Sequence, residues 1–225
     1  MLDVDLEIIN EVKNLGVFIV YDVIKGVDNS TYPPELEREI KSAVEEARRL
    51  YSLDALKEHS IIRAYRDFYW RVLKIDPTKQ RPSQEALLRR ILRGGDLPRI
   101  SPVVDIGNAV SIKYLVPIGL YDISKIRGGK LRLRLSERGE LFYPIGGGVE
   151  ELEGQIVLAA GGQILHVYPY RDSVETKIDV STRDVLAVVA GVRGVDLQRL
   201  IDAANALRRF FKILGGEPVG DIKSA

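Results

Sequence analysis

The sequence predicts an α+β fold: a helical N-terminal half packed on a β-rich half, closed by a C-terminal helix. Apolar residues recur mainly at helical spacing through the first half, after an early strand. Beyond about residue 128 they alternate singly. Regular strand–helix–strand alternation is missing, which argues against a doubly wound sheet. A length of 225 residues suits one domain, 1–225, with a substantial core. No repeat, long linker or low-complexity segment divides it.

Residues 15–27, LGVFIVYDVIKGV, are β-rich and apolar, end at Gly26 and read as a buried strand. Segment 33–51 opens on Pro33-Pro34, and Leu36, Ile40, Ala43, Val44, Ala47 and Leu50 recur at helical spacing. Segment 60–75 has Ser60 as its candidate N-cap. Its Tyr65, Phe68, Tyr69 and Trp70 could form an RNA-stacking set, but Phe68 and its helically spaced neighbours read better as core. Tyr69 and Trp70 are adjacent and cannot share a helix face. Segment 81–95 is a short helix capped by Ser83, with Leu87, Leu88, Ile91 and Leu92 inward and Gly94 as its stop. Arg89, Arg90 and Arg93 in its last turns suit the helix dipole, with an RNA phosphate patch as the sharper alternative.

Later, Leu131, Leu133 and Leu135 mark a half-exposed strand, 137–140 a turn and LFYPI a second strand. Residues 155–171 read as strand, Gly161-Gly162 turn and strand. Residues 185–190 read as a strand, although so apolar a run also suits a buried helix. Segment 196–216 is a helix with Asp196 as N-cap and Leu197, Leu200, Ile201, Ala204, Leu207, Phe211 and Leu214 in one stripe. The tail 217–225 is expected to be loose.

Composition narrows the function. A net charge of +1 gives no general cationic field, so DNA is not an expected partner and any RNA contact must be a local patch. The absence of cysteine excludes disulfides, thiolate zinc sites and a cysteine nucleophile. His59 and His166 are too few for a multi-histidine metal site, so neither metal nor cofactor is expected. The opening MLDVDLEIIN lacks a basic-then-apolar leader pattern and no apolar run reaches membrane-spanning length, so a cytoplasmic location is expected. One Met and no Cys, with abundant Arg, Glu, Ile and Leu, suggest a thermophilic source. GGKLR lacks P-loop spacing, YPIGGGVEELEG lacks a G-x-G-x-x-G that opens a helix, and no G-x-S-x-G elbow occurs.

The informative stretch is VVDIGNAVSIKYLVPIGLYD, 103–122. On a helical wheel Asp105, Asn108 and Ser111 form a stripe in an element apolar on almost every other side. Buried polar groups need partners, since an unpaired one costs roughly 1–3 kcal/mol. These could tie down neighbouring loop backbone, including a turn at Pro117-Ile118-Gly119, or line a site. Asp105 needs a cation or several donors and is expected to be structural.

The ordered pieces ISPVVDIGNAV, PIGLYD, ISKIRGG, LRLR and RGE, then LEGQIVLAAGGQILHV, resemble the B3/B4 tRNA-binding (editing) module of the phenylalanyl-tRNA synthetase β subunit. The resemblance runs from about Arg81 to Val192, leaving 1–80 as an N-terminal elaboration and 196–216 as the added helix. RPSQEALLRRIL followed by LPRISPVVD looks like free-standing versions of the module. The resemblance implies binding of the aminoacylated tRNA 3′ end and hydrolysis of the ester of a wrongly attached amino acid, tyrosine on phenylalanine tRNA. In a chain of this length it implies a stand-alone module acting in trans.

Two departures stand out. Gly119 occupies the position of the histidine in the family's P-L-H-A-F-D motif, which contributes to the editing pocket. VYPYRDSVET, 167–176, replaces the family's G-G and nearby glutamate, with Glu175 as the nearest acid.

The expected pocket takes Asn108 and Ser111 from the helix, Tyr121 and Asp122 from the turn, and His166 from the hairpin. Arg171, Asp172, Glu175 and Thr176 come from the loop beyond, and Gly146 and Gly147 offer close backbone approach. Arg171 would hold a phosphate or carboxylate; His166, Asp172 and Glu175 are the catalytic candidates. The plainer readings are a hydrogen-bonded structural His166, an Arg171–Asp172 pair that organises its loop, and an ordinary glycine turn. Two rival functions are a non-catalytic RNA or amino-acid binding module and a homo-oligomer built on the 60–75 aromatic helix. A site requires Asn108, Tyr121, His166 and Arg171 to share one cavity.

Overall fold

A computed structural model describes residues 4–225, so the first three residues of the MLDVDLEIIN opening lie outside the described residues. In chain order the elements are β1 (Leu6–Ile8), α1 (Asn10–Asn14), β2 (Val17–Lys25), α2 (Pro34–Leu50), α3 (Leu53–Leu56), α4 (Ser60–Phe68), α5 (Ser83–Leu92) and α6 (Pro102–Tyr114). There follow β3 (Ile118–Asp122), β4 (Leu131–Leu135), β5 (Glu140–Phe142), β6 (Glu150–Leu152), β7 (Ile156–Ala160), β8 (Gln163–Val167), β9 (Arg171–Asp172) and β10 (Val185–Val192). The chain closes with α7 (Leu197–Ile213), β11 (Glu217–Pro218) and β12 (Lys223–Ser224). The fold is α+β. Among the described residues no helix is long and apolar enough to cross a membrane.

Two larger sheets carry the core. One runs β11-β2-β10-β3, with β12 also on β2; the other runs β1-β4-β7-β8-β9. Strand β10 pairs antiparallel with β2 on one side and β3 on the other, and all of its residues are buried. A strand buried on both faces has no polar face to alternate with, which is why VLAVVAGV is almost continuously apolar. The sheets meet where Tyr168, just past β8, donates its hydroxyl to the Gly191 carbonyl of β10 at 2.6 Å. β7 is also buried throughout: Ile156, Leu158 and Ala160 face the main core, while Val157 and Ala159 join Phe142 and Leu152 of the β5–β6 hairpin in a smaller one.

Helix α6 packs on β3, α2 and α7. Ser101 caps it by accepting from the Val104 amide, with Pro102 in its first turn. Asp105 is fully buried; it accepts from the Tyr32 hydroxyl at 2.9 Å and the Ile100 amide at 2.9 Å, and pairs with Arg99 Nε at 3.1 Å. Burial, then the Asp105 hydrogen bond, pushes the Tyr32 phenol up to about 12, so it stays a donor.

Several local expectations are corrected. Ser60 and Ser83 are the first helical residues rather than caps; His59 and Pro82 precede them, and no side chain caps either helix. Segment 60–75 is α-helical only to Phe68 and then widens into a π-helical turn, Tyr69–Leu73. Tyr65, Phe68 and Tyr69 are buried, and Trp70 is exposed, so these aromatics do not form a surface set. The tail is not loose: β11 and β12 pair with β2, and Ala225 and Ile19 exchange backbone hydrogen bonds.

Glu85 of α5 has no exposed surface and is held by Arg66 Nη1 at 3.0 Å and Arg89 Nε at 2.7 Å. Removing the carboxylate leaves two largely buried guanidinium groups facing each other. Glu85→Ala should lower unfolding free energy by about 3–5 kcal/mol in urea titrations monitored by far-UV dichroism.

Candidate active site

A partly enclosed cavity of about 160 Å³ lies between α6, the β3–β10 edge of one sheet and the β8–β9 hairpin of the other. Asn108, Ser111, Gly119, Tyr121, His166 and Asp172 all line it. Period-two geometry explains the grouping. Gly119 and Tyr121 are two residues apart on β3 and share a face. His166 and Asp172 sit directly opposite in the β8–β9 register and therefore also share one.

Asp172 joins the two strands chemically. Its Oδ1 lies 2.8 Å from His166 Nδ1 and accepts from the Tyr121 hydroxyl at 3.0 Å. Burial, then the Asp172 charge, raises the Tyr121 phenol well above its ordinary range, so it remains a donor. A neutral His166 facing a carboxylate through Nδ1 carries its proton there. Its Nε2 then holds a lone pair and forms no hydrogen bond among the described residues. His166 as a whole is only 8% exposed, and its ring packs edge-on against Tyr121 and Tyr168.

Gly119 is required by this arrangement. A Cβ at residue 119 would lie 2.7 Å from Tyr121 Cζ and closer still to its hydroxyl. The tyrosine ring thus fills the volume that a side chain at 119 would take. Above it, Ser111 donates to the Val116 carbonyl at 2.7 Å, and half-buried Asn108 makes no side-chain hydrogen bond with the described residues.

The remaining expected residues lie elsewhere. Asp122 and Arg171 each neighbour a cavity residue in a strand and so point away. Asp122, buried, accepts from Ser124 and from Thr182 Oγ1 at 2.7 Å, and it belongs to the end of a strand, not a turn. Arg171 pairs with Glu150. Of the required four, Asn108, Tyr121 and His166 share the cavity and Arg171 does not. Glu175 faces Arg127 at 4.0 Å, and Thr176 is buried outside the cavity lining. Gly146 and Gly147 form an exposed turn, outside it as well. Arg89 is committed to Glu85, Arg90 donates to the Asp96 carbonyl at 2.7 Å, and Arg93 is exposed.

Arginines not singled out in the sequence occupy a different hollow. Arg63, Arg71 and Arg193 line a groove of about 570 Å³, together with Glu58 and Asp67, and form no ion pair among the described residues. Their separation in sequence hid them; only the approach of α4 and the π-helical turn to the end of β10 gathers them. No group of residues suited to a metal ion occurs among the described residues.

Gly119→Ala should cost about 1–3 kcal/mol in thermal or urea unfolding, because an added methyl overpacks the site. In a double-mutant cycle, combining it with Tyr121→Ala should cost less than the sum of the single changes, by at least about 0.5 kcal/mol.

The family model described as "B3/4 domain" matches residues 64–214. The phenylalanine–tRNA ligase beta subunit of Vibrio parahaemolyticus is 32% identical over 96 residues, 42% of this chain and 12% of the relative. That of Vibrio vulnificus is 33% identical over the same length and shares. The chain therefore matches only a small part of these relatives. In three dimensions it is similar to an N-terminal fragment of the phenylalanyl-tRNA synthetase beta subunit from Pyrococcus horikoshii, with TM-score 0.56 and 14% identity, over 96% of this chain and 50% of that one. The structural likeness establishes the fold, and the family match over more than half of its length shows that the chain belongs to the B3/4 domain family.

Proposed function

We propose that this chain binds the aminoacylated 3′ end of a tRNA and hydrolyses the ester in trans. The observation that carries the reading is the His166–Asp172–Tyr121 assembly on a cavity that also presents the uncommitted amide of Asn108. With Nδ1 held by Asp172, His166 Nε2 takes a proton from a water that attacks the ester carbonyl. Asn108 Nδ2 donates to the oxyanion that forms. The carbon–oxygen bond to the ribose then breaks, and the proton on His166 passes to the leaving ribose oxygen. The products are free amino acid and uncharged tRNA. In this reading β8 supplies the imidazole that the family motif places at residue 119.

Family membership and similarity to ligase beta subunits support a tRNA-related role. We assign phosphate contacts to Arg63, Arg71 and Arg193, because Arg89 and Arg90 are occupied within the fold. The cytoplasm, where charged tRNA is found, is the location that fits.

A panel of mischarged tRNAs, tyrosyl-tRNA of phenylalanine specificity included, tests the activity. Release of amino acid should exceed the buffer rate for at least one member, and His166→Ala and Asp172→Asn should reduce it by about 10²-fold or more. No release across the panel would remove the hydrolase. Gly119 at the motif histidine position favours one rival, a binding module without turnover. Salt-dependent tRNA binding with no release would establish that rival. Arg71→Ala should weaken tRNA binding and reduce the slope of log affinity against log salt by about one.

A further inference from the structure

We infer that the cavity is built for the smallest aminoacyl groups, glycyl, alanyl or seryl, and rejects aromatic ones. The inference rests on the hydrolase or binding reading of the same site. A dry cavity of about 150 Å³ holds one benzene molecule, about six heavy atoms. The cavity here measures about 160 Å³. His166 Nε2 can reach the ester only if the carbonyl enters, so a side chain held inside the cavity must share that space with it. An alanyl group needs about as many heavy atoms as benzene, whereas a tyrosyl group needs roughly twice as many.

The walls leave little room for expansion. Tyr121 fills the volume over Gly119 and is fixed by Asp172, and Tyr168 is held by the Gly191 carbonyl. Val188 and Leu87 close other sides. The polar groups suit a small, polar guest. Asn108 has a free amide, Ser111 Oγ keeps an acceptor lone pair after donating to Val116, and Asp172 can receive an ammonium group. A large apolar side chain would meet these groups and leave them unpaired, which sites built around polar contacts penalise strongly.

The experiment uses the full chain and hydrolysis-resistant adenosines carrying alanyl, seryl, phenylalanyl or tyrosyl groups through a 3′-amide, with calorimetric binding. The alanyl and seryl compounds should bind at least about tenfold more tightly than the aromatic pair. Leu87→Ala and Val188→Ala, outside the His166–Asp172 assembly, should each narrow that gap by improving binding of the aromatic compounds. Equal binding of all four, or preference for an aromatic group, would overturn the size inference and leave the aminoacyl reading standing. Binding of none would overturn both.

Discussion

Nine of the thirteen residues of helix α6 are buried, and its packing on β3 brings Asn108 and Ser111 to the cavity. A Cβ at Gly107 would come within 2.7 Å of Leu120 Cδ1, so a larger residue there would make the Leu120 side chain give way. A helix buried so deeply needs partners for its polar atoms. Asp105 finds them in Tyr32, Arg99 and the Ile100 amide, and Ser111 in the Val116 carbonyl. The first set anchors the start of the helix; the second holds the turn that leads into β3. Asn108, between them on the same stripe, has no such duty and faces the cavity.

The stripe that looked uniform in sequence therefore divides by function. Asp105 is a structural acid whose charge is met by a guanidinium. Ser111 holds a loop and keeps one side of its oxygen toward the cavity. The same division holds among the charged residues elsewhere. Glu85 consumes Arg66 and Arg89 inside the fold, and Lys125 bridges Asp122 and Asp179, holding the Asp179 carboxyl well below the usual carboxylate range. Arg63, Arg71 and Arg193 remain available in a groove.

The absence of a side chain at residue 119 is matched by the tyrosine two residues on. With glycine at 119, Tyr121 can lean over β3 and reach Asp172 on another sheet, and Asp172 in turn orients His166. The assembly holds an imidazole at the cavity, and the tyrosine ring takes up part of its volume. Chemistry and size are thus coupled through one aromatic ring: moving Tyr121 aside would enlarge the cavity and release Asp172 together.

The sequence by itself determined the α+β class, a strand within 15–27, helices within 33–51, 81–95 and 196–216, a helix opening the 103–122 stretch, a hairpin within 155–171 and the family resemblance. Local periodicity and turn residues carry that information directly. It also marked Asn108, Tyr121, His166 and Asp172 as candidates, although the strand alternation that excludes Asp122 and Arg171 was usable only once 118–122 and 171–172 were known to be extended. The tail misled because β11 and β12 are two-residue strands whose order comes from pairing with β2, not from their own propensity. The arginine groove, the Glu85 cluster and the Tyr121–Asp172–His166 assembly were decided only in three dimensions. Each joins residues from separate elements, and the distances between side chains depend on how sheets and helices pack, which no spacing along the chain records.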